Sequence, residues 1–271
     1  MPTLYVVATP IGNLEDISLR ALRILRDANL IAAEDTRKTR RLLTAHNIRT
    51  PMTSYYEHNK LTKLEYILGS LEEGNVALVS EAGTPGMSDP GYELIAEASR
   101  RGIPVVPVPG PSAVVTAVTV SGLATDRFLY LGFLPRKAGS RQKLLESVAD
   151  EPGTIVILEA PHRLTATLKA MLDVLGDRRI AVCRELTKVH EEVFRGSISR
   201  AIDHYKEPRG EFTLVLEGNT ETNKPLLAED TEKRLHKMRL SGVTAREAIS
   251  RVASETGLSR KELYRAWLKE K

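Results

Sequence analysis

The chain has 271 residues, 42% of them hydrophobic, and carries 39 Lys/Arg against 35 Asp/Glu for a formal charge of +4. That length allows one large or two medium domains. A single cysteine, Cys183, excludes an intrachain disulfide framework and a cysteine-rich zinc site, and no apolar run approaches the ~18 residues of a membrane span.

The opening "MPTLYVVATP" has no basic n-region and no cleavage site, so a cytoplasmic chain without a secretion signal is expected. "LYVVAT" reads as a β run. "DISLRALRILRDANL" places leucines and isoleucines near helical spacing, with Asp16 as the expected N-cap. "LIAAED" is a strand candidate followed by a basic helix, "TRKTRRLLTAHN". "KLTKLEYILGSLEEG" reads as helix, "VALVS" as strand, "YELIAEASRRG" as helix and "IPVVPVP" as strand. This alternation predicts a mostly parallel sheet covered on both faces. After the small-residue helix "GPSAVVTAVTVSGL" the β runs lengthen: "RFLYLGFLP", "GTIVILEA", "RRIAVCREL", "EEVFRGS" and "EFTLVLEG", with helices at "SRQKLLESVAD", "RLTATLKAMLDVLG" and Ser199–Tyr205. Three segments are expected: an α/β domain over 1–122, an α+β domain over 123–220, and a linker with a basic helical appendage over 221–271. The linker is "NTETNKPLLAED". Two short helices with Thr244 and Ser259 as N-caps, joined at Thr256-Gly257-Leu258, then give a helix-turn-helix outline. They read equally as a helical cap packing Trp267 and Leu268. From Lys224 to Lys271 there are 12 Lys/Arg and 7 Asp/Glu, so the basic excess belongs to this end. It is either a solvated face or a surface for a polyanion.

Five stretches carry chemistry. "ATPIGNLED" makes a strand-to-helix turn but matches neither the dinucleotide G-x-G-x-x-G nor the P-loop pattern. In "AEDTRKTRR", Glu34 and Asp35 stand at the end of an apolar strand, where an open α/β sheet presents its ligand crevice; one of them could instead cap the next helix. Arg37, Lys38, Arg40 and Arg41 follow as a dense cationic patch suited to phosphates. "SEAGTPGMSDPG" combines glycines that allow close backbone approach with Glu81 and Asp89 and no cation. It suits a cationic or hydroxyl-rich ligand better than a bare phosphate. "VPGPSAVVTAV" opens a helix at Ser112, whose free amides could receive a carboxylate. "CRELTKVHEEVFRGS" crowds Arg184, Glu185, Lys188, His190, Glu191 and Glu192 into one loop, compatible with acid–base work or with surface pairing. No stretch has metal-ligand spacing, so no metal is expected.

In order, "ATPIGNLEDI", "AEDTR", "SEAGTPGMSDPG", "VPGPSA", "EAPHR", "RELTK" and "GEFTLVLEG" resemble the ribosomal RNA small subunit methyltransferase I family of the tetrapyrrole methylase superfamily. The resemblance spans about Thr3 to Gly218, and the C-terminal helices are similar to that family's appended domain. It implies a two-domain class III S-adenosylmethionine methyltransferase fold, a homodimer, and the cofactor in the cleft between domains. It also implies 2′-O-methylation of a cytidine ribose in the decoding region of 16S rRNA, with rRNA or the small ribosomal subunit as partner. By position it marks Pro10, Gly83, Thr84, Met87, Ser112, Leu158 to Ala160, Glu211 and Phe212 for the cofactor. Tetrapyrrole-modifying relatives carry G-G-D-P where this chain has Ala82-Gly83-Thr84-Pro85, which favours RNA over a porphyrin-type substrate. For such a reaction the proton acceptor is sought first among Asp35 and Glu34, then Glu185, Lys188 and His190, while Arg37, Lys38, Arg40, Arg41 and the basic tail would hold RNA. The rivals are a small-molecule methyltransferase and a non-catalytic RNA-binding protein.

Overall fold

The computed structural model describes residues 1–219, 229–256, 258 and 260–268. Met1–Gly218 form one compact unit and Asn219–Lys271 a second. The first unit begins as β1 (Leu4–Val7), α1 (Leu19–Asp27), β2 (Leu30–Ala33), α2 (Thr36–Ala45), β3 (Met52–Ser54), α3 (Lys60–Glu73), β4 (Val76–Val79), α4 (Tyr92–Arg100), β5 (Val105–Val108) and α5 (Ala113–Ser121). The five strands form a parallel sheet in the order β3-β2-β4-β1-β5. Every residue of β2 and β4 is buried, as continuous apolar runs in a sheet covered on both faces require. Alternation sorts them: Ile31 and Ala33 pack with Ile24, Leu25, Leu42 and Leu43, while Leu30 and Ala32 pack with Ile67, Leu68, Leu71 and Leu94. Pro107 lies in β5, an edge strand, where a missing ladder donor is tolerated.

The first helix begins later than its sequence suggests. Asn13 caps a short 3₁₀ turn at Leu14–Asp16, its side chain accepting from the Glu15 amide, and this draws in Asp16. Ser18, rather than Asp16, therefore caps α1, accepting from Ala21 N at 3.0 Å. The three-residue β3 was not marked by any apolar alternation.

The chain then builds β6 (Phe128–Phe133), α6 (Ala138–Ser147), β7 (Thr154–Glu159), α7 (Pro161–Leu175), β8 (Arg179–Arg184), β9 (Glu192–Ser197), α8 (Ile198–His204) and β10 (Phe212–Leu216). Their sheet runs β6-β7-β10-β8-β9; β6 and β7 are parallel and the other neighbours antiparallel. One face, carrying Ile155, Ile157, Ile180, Val182, Leu214 and Leu216, is covered by α6, α7 and α8. The opposite face, carrying Val156, Ala181, Cys183 and Val215, receives Val114, Ala117 and Val118 of α5. The helix that leaves the first sheet thus covers the second. Ala113, Ala117 and Ser121, four residues apart, give it a narrow face that permits close approach.

The second unit holds α9 (Glu229–Leu240), α10 (Ala245–Thr256) and α11 (Arg260–Leu268). Leu235, Ala248, Ile249, Val252, Leu258 and Leu263 form its core, with Trp267 packed against it, whereas Leu268 is exposed. Thr244 accepts from Glu247 N at 3.4 Å, as its capping position predicts. The body of the predicted linker, 220–228, together with Gly257 and the Ser259 cap, lies outside the described residues. Among the described residues no helix is long and apolar enough to cross a membrane.

Ala117 has no exposed surface. Ala117→Leu is therefore expected to overpack the α5–sheet contact and destabilise the first unit by about 1–3 kcal/mol. Urea unfolding reads this, and an unchanged midpoint would show that the contact has slack.

Candidate active site

The C-terminal ends of the parallel strands meet the second sheet where the ends of β7 and β8 flank the start of β10, with Phe212 opposite both Glu159 and Arg184. A cavity of about 410 Å³ opens there. Its walls come from the loop after β1 (Ile11), the end of β2 (Glu34), the loop after β4 (Glu81 to Asp89), the start of α5 (Ser112 to Val114), Tyr130 and Phe133 of β6, Leu158 to Pro161, and Glu211 to Thr213.

Two close backbone approaches shape it. Thr9 and Gly83 exchange amide hydrogen bonds of 2.8 and 3.0 Å, with Gly83 in the left-handed region at φ +79°. A side chain there would be strained. On the other side, a Cβ on Gly12 would stand 2.5 Å from Lys188 Cγ and 2.9 Å from the Leu186 carbonyl oxygen, so only glycine lets these two loops touch. Asn13 N also donates to Thr187 Oγ1 at 3.0 Å.

The loop at 185–188 is under backbone strain. Glu185 and Thr187 both have positive φ, 50° and 68°, a marked outlier for a β-branched residue. Side chains hold it there: Glu185 Oε1 accepts from Glu211 N at 2.8 Å and from Lys188 Nζ at 2.9 Å, and Lys188 also reaches Glu211 Oε2 at 2.9 Å. Burial works against the Lys188 charge, but its two carboxylate partners outweigh burial and raise its pKa. Glu185 is opposed by burial too, yet the Glu211 amide and Lys188 leave it below its ordinary value. Neither residue lines the cavity; both brace Glu211, which does. His190 is exposed on the same loop.

The paired acids of "AEDTR" diverge. Asp35 caps α2, accepting from the amides of Arg37 at 2.8 Å and Lys38 at 3.3 Å and pairing with the Arg37 side chain at 3.2 Å. The Arg37 hydrogen bond is the main reason its pKa is lowered. Asp35 is not part of the cavity wall. Glu34 is, and accepts from Glu81 N at 2.9 Å. Burial raises Glu34, and the charges of Glu81 and Asp35 add to this. Glu81 is in turn paired with Lys38. Asp89 completes the acidic side; burial, then the charge of Glu34, pushes it up to about 7.

Of the residues marked for a cofactor, Gly83, Thr84, Met87, Ser112, Ala160, Glu211 and Phe212 line the cavity, and Pro10 precedes the lining residue Ile11. Ser112 caps α5, accepting from Val115 N at 3.4 Å, and Ser112, Ala113 and Val114 line the cavity, so the start of that helix borders it. The cations do not enter it. Thr39, Leu42 and Leu43 bury one face of α2, which leaves Arg37, Lys38, Arg40 and Arg41 exposed. Sequence reasoning missed Ile11, Tyr130, Phe133, Cys183 and Leu186. The first is a turn residue, Tyr130, Phe133 and Cys183 sit in β runs whose pattern announces only burial, and Leu186 stands between Glu185 and Thr187 in a loop read for its charges. Gly132, at φ +65° beside a bulge at Tyr130/Gly132, is the local device that aims Tyr130.

Comparison with known proteins agrees with this architecture. Residues 3–202 match the model for Tetrapyrrole (Corrin/Porphyrin) Methylases. Ribosomal RNA small subunit methyltransferase I of Synechocystis sp. is 47% identical over 269 residues, covering 97% of this chain and 96% of the relative. The chain belongs to the ribosomal RNA small subunit methyltransferase I family. The protein of the same name from Halalkalibacterium halodurans is 45% identical over 276 residues, covering 99% and 95% of the two chains. Among solved structures, a uroporphyrin-III C-methyl transferase from Thermus thermophilus complexed with S-adenyl homocysteine superposes with a TM-score of 0.58 at 21% identity, covering 79% of this chain and 97% of that one. This family member therefore shares the tetrapyrrole methylase fold.

Two outcomes follow from the acids. Asp35→Ala removes a helix cap and is expected to cost about 0.5–2 kcal/mol of stability; a variant as stable as the parent in urea would discard the capping role. Asp89 is favoured in its acid form when folded, so its contribution to stability is full below its ordinary pKa of 3.8 and is lost as pH rises through about 7. Asp89→Asn should therefore gain stability relative to the parent between about pH 5 and about pH 8, and urea midpoints at the two values measure it.

Proposed function

We propose that this family member transfers a methyl group from S-adenosylmethionine to the 2′-oxygen of a cytidine ribose in the decoding region of 16S rRNA. The observation that carries the reading is the partition of charge along Glu34–Arg41. A carboxylate faces the cavity at one end, four cations face outward on the helix that follows, and the Lys38–Glu81 ion pair joins the two surfaces. A polyanion suits the outside, and a cationic, hydroxyl-bearing ligand suits the inside. The names of the relatives support rRNA as the polyanion.

The residues present fit the cofactor. The volume lies within the range usual for small-molecule sites. Ile11, Leu158 and Phe212 offer apolar walls for a planar base, while Glu211 and the acids of the loop after β4 offer acceptors for hydroxyls or an ammonium group. The amides at the start of α5, with Ser112, favour a carboxylate. Gly83, Thr84, Met87 and Ala160 bring backbone to the ligand, with Pro10 stiffening the facing turn. When bound, S-adenosylmethionine supplies a methyl group already activated by its sulfonium charge. What the chain adds is alignment of the hydroxyl with that carbon, exclusion of water, and an acceptor for the hydroxyl proton. Arg37, Lys38, Arg40 and Arg41 hold rRNA phosphates. The working protein is a cytoplasmic homodimer acting on rRNA or the small ribosomal subunit.

Labelled-methyl transfer to undermethylated small subunits and to naked 16S rRNA, followed by nucleotide mapping, tests the reading. Label on a single cytidine ribose is expected. Label on a base, or on a tetrapyrrole in place of rRNA, would overturn it. Arg41→Glu should weaken rRNA binding regardless of sequence and lower the salt slope of the affinity by about one; an unchanged slope would remove Arg41 from the phosphate contacts.

A further inference from the structure

The apolar residues around the cavity differ in depth. Ile11 and Phe212, offered above to the cofactor, are 8% and 2% exposed. Phe133 lines the same cavity and is 53% exposed, and Met87 is 48% exposed. The first two mark the floor and the second two the open rim. Phe133 is the last residue of β6, an edge strand of the second sheet, and pairs in register with Leu158. An aromatic ring that walls a cavity and still faces water offers a flat apolar face to a ligand.

The ring is held from both sides. Gly132 before it is buried at φ +65°, and a Cβ there would stand 2.9 Å from Ser88 Oγ. Leu134 after it is buried, and Arg163 Nη2 donates to the Leu134 carbonyl at 2.6 Å. Arg163 is paired with the buried Glu159 at 3.4 Å, and Glu159 also accepts from the Thr167 hydroxyl at 2.6 Å and the Ala160 amide at 2.9 Å. The "EAPHR" stretch thus anchors the segment that presents Phe133. Cations follow at once. Arg136 and Lys137 are exposed, and neither is ion-paired with any described residue. Arg141, one helical turn beyond Lys137, is half-buried, and its Nε has no hydrogen-bond partner among the described residues. No side chain caps α6, so its first amides favour an anion at the same place. Between Asp126 and Glu146 the chain carries five Lys/Arg and no Asp/Glu.

We propose that Phe133 is the stacking platform for an unpaired base of the RNA substrate beside the reacting ribose, and that Arg136, Lys137 and Arg141 hold phosphates of the same strand. This inference rests on the methyl-transfer reading and deepens it. The cations of α2 grip the strand from the first sheet, and the end of β6 with the start of α6 supplies a ring and a second grip from the other. A flat ring beside unpaired cations is the combination that holds single-stranded nucleic acid, because every base has a face to stack while the backbone takes the charge. A duplex does not serve, since its bases are stacked on one another and leave no free face. A second copy of this chain meeting the same face around a two-fold axis would set like charges together. The charge therefore favours RNA as the occupant.

The test is the affinity of the S-adenosylhomocysteine-loaded chain for undermethylated small subunits, read by filter binding across a salt series. Calorimetry of S-adenosylhomocysteine binding and sedimentation are separate readouts. Phe133→Ala should weaken subunit binding by about 5–150-fold, with the salt slope unchanged and S-adenosylhomocysteine bound as in the parent. Phe133→Leu, which keeps apolar bulk without a flat face, should lose most of the same factor, and Phe133→Trp should regain it. Arg136→Ala and Lys137→Ala should each lower the salt slope by about one. Parental subunit binding by Phe133→Ala and Phe133→Leu overturns the stacking role. Loss of S-adenosylhomocysteine affinity by the same factor would give the ring to the cofactor, and an altered sedimentation would give it to a second copy; either overturns the proposal. Parental slopes in both cation variants overturn the phosphate contacts. If the parent transfers no methyl to rRNA ribose, the functional reading fails and this inference with it. A methylating parent whose Phe133 variants bind subunits normally defeats the inference alone.

Discussion

The site depends on close approaches between loops at two glycines, whose lack of a side chain leaves room for the neighbouring segment. Thr9 and Gly83 close the first sheet's side of the cavity, and Gly12 lets the turn after β1 press onto the 186–188 loop of the second. Each contact is local, yet together they fix the distance between strand ends from two sheets that share no ladder. The close fit of α5 works toward the same end. Its small residues bring the second sheet near enough for Ile11 to join the cluster of Val156, Ala181 and Val215.

Electrostatics then divides the loops by role. Three carboxylates, Glu34, Glu81 and Asp89, converge on one wall, and among the described residues the cation paired with them is Lys38, from outside. Such a wall is unfavourable by itself, which is why Glu34 and Asp89 are both pushed upward. The cost becomes useful where a ligand carries positive charge, because that ligand restores the balance the protein lacks. The opposite wall solves a different problem. There Lys188 is enclosed by Glu185 and Glu211, so its charge is neutralised internally and serves to hold a strained loop.

Much of the fold was legible because its signals are periodic. The apolar runs of β2 and β4 and the helical spacing of α1 and α4 translate directly into a covered parallel sheet. The lengthening of the β runs after α5 foretold the second, mixed sheet. The loops that would carry a ligand were legible as well, since glycine and proline between a strand and a helix have few other uses. What could not be read was which member of a pair faces inward. Glu34 and Asp35 follow the end of β2, and Asp35, in extended backbone, turns to cap α2 while Glu34 lines the cavity. Nothing in "AEDTR" says which, and the cap on α2 decides it. Tyr130 was hidden for another reason: its contribution depends on a bulge at Gly132 and on a serine 42 residues away.

The placement of Lys38 carries the synthesis one step further. It belongs by sequence to the cationic patch of α2, but its charge is engaged with Glu81, whereas Arg37 is engaged with the Asp35 cap of its own helix. A phosphate arriving at α2 would compete with Glu81 for it. If Lys38 turned toward the phosphate, Glu81 would be left as a bare carboxylate near Glu34 and Asp89, and their titrations would rise further because like charges oppose ionisation. Binding of a polyanion outside and proton affinity inside are thereby linked through one flexible side chain. The sign of that link is fixed by the geometry: occupancy of the patch makes the cavity acids stronger proton acceptors, and removing Lys38 would make them so permanently.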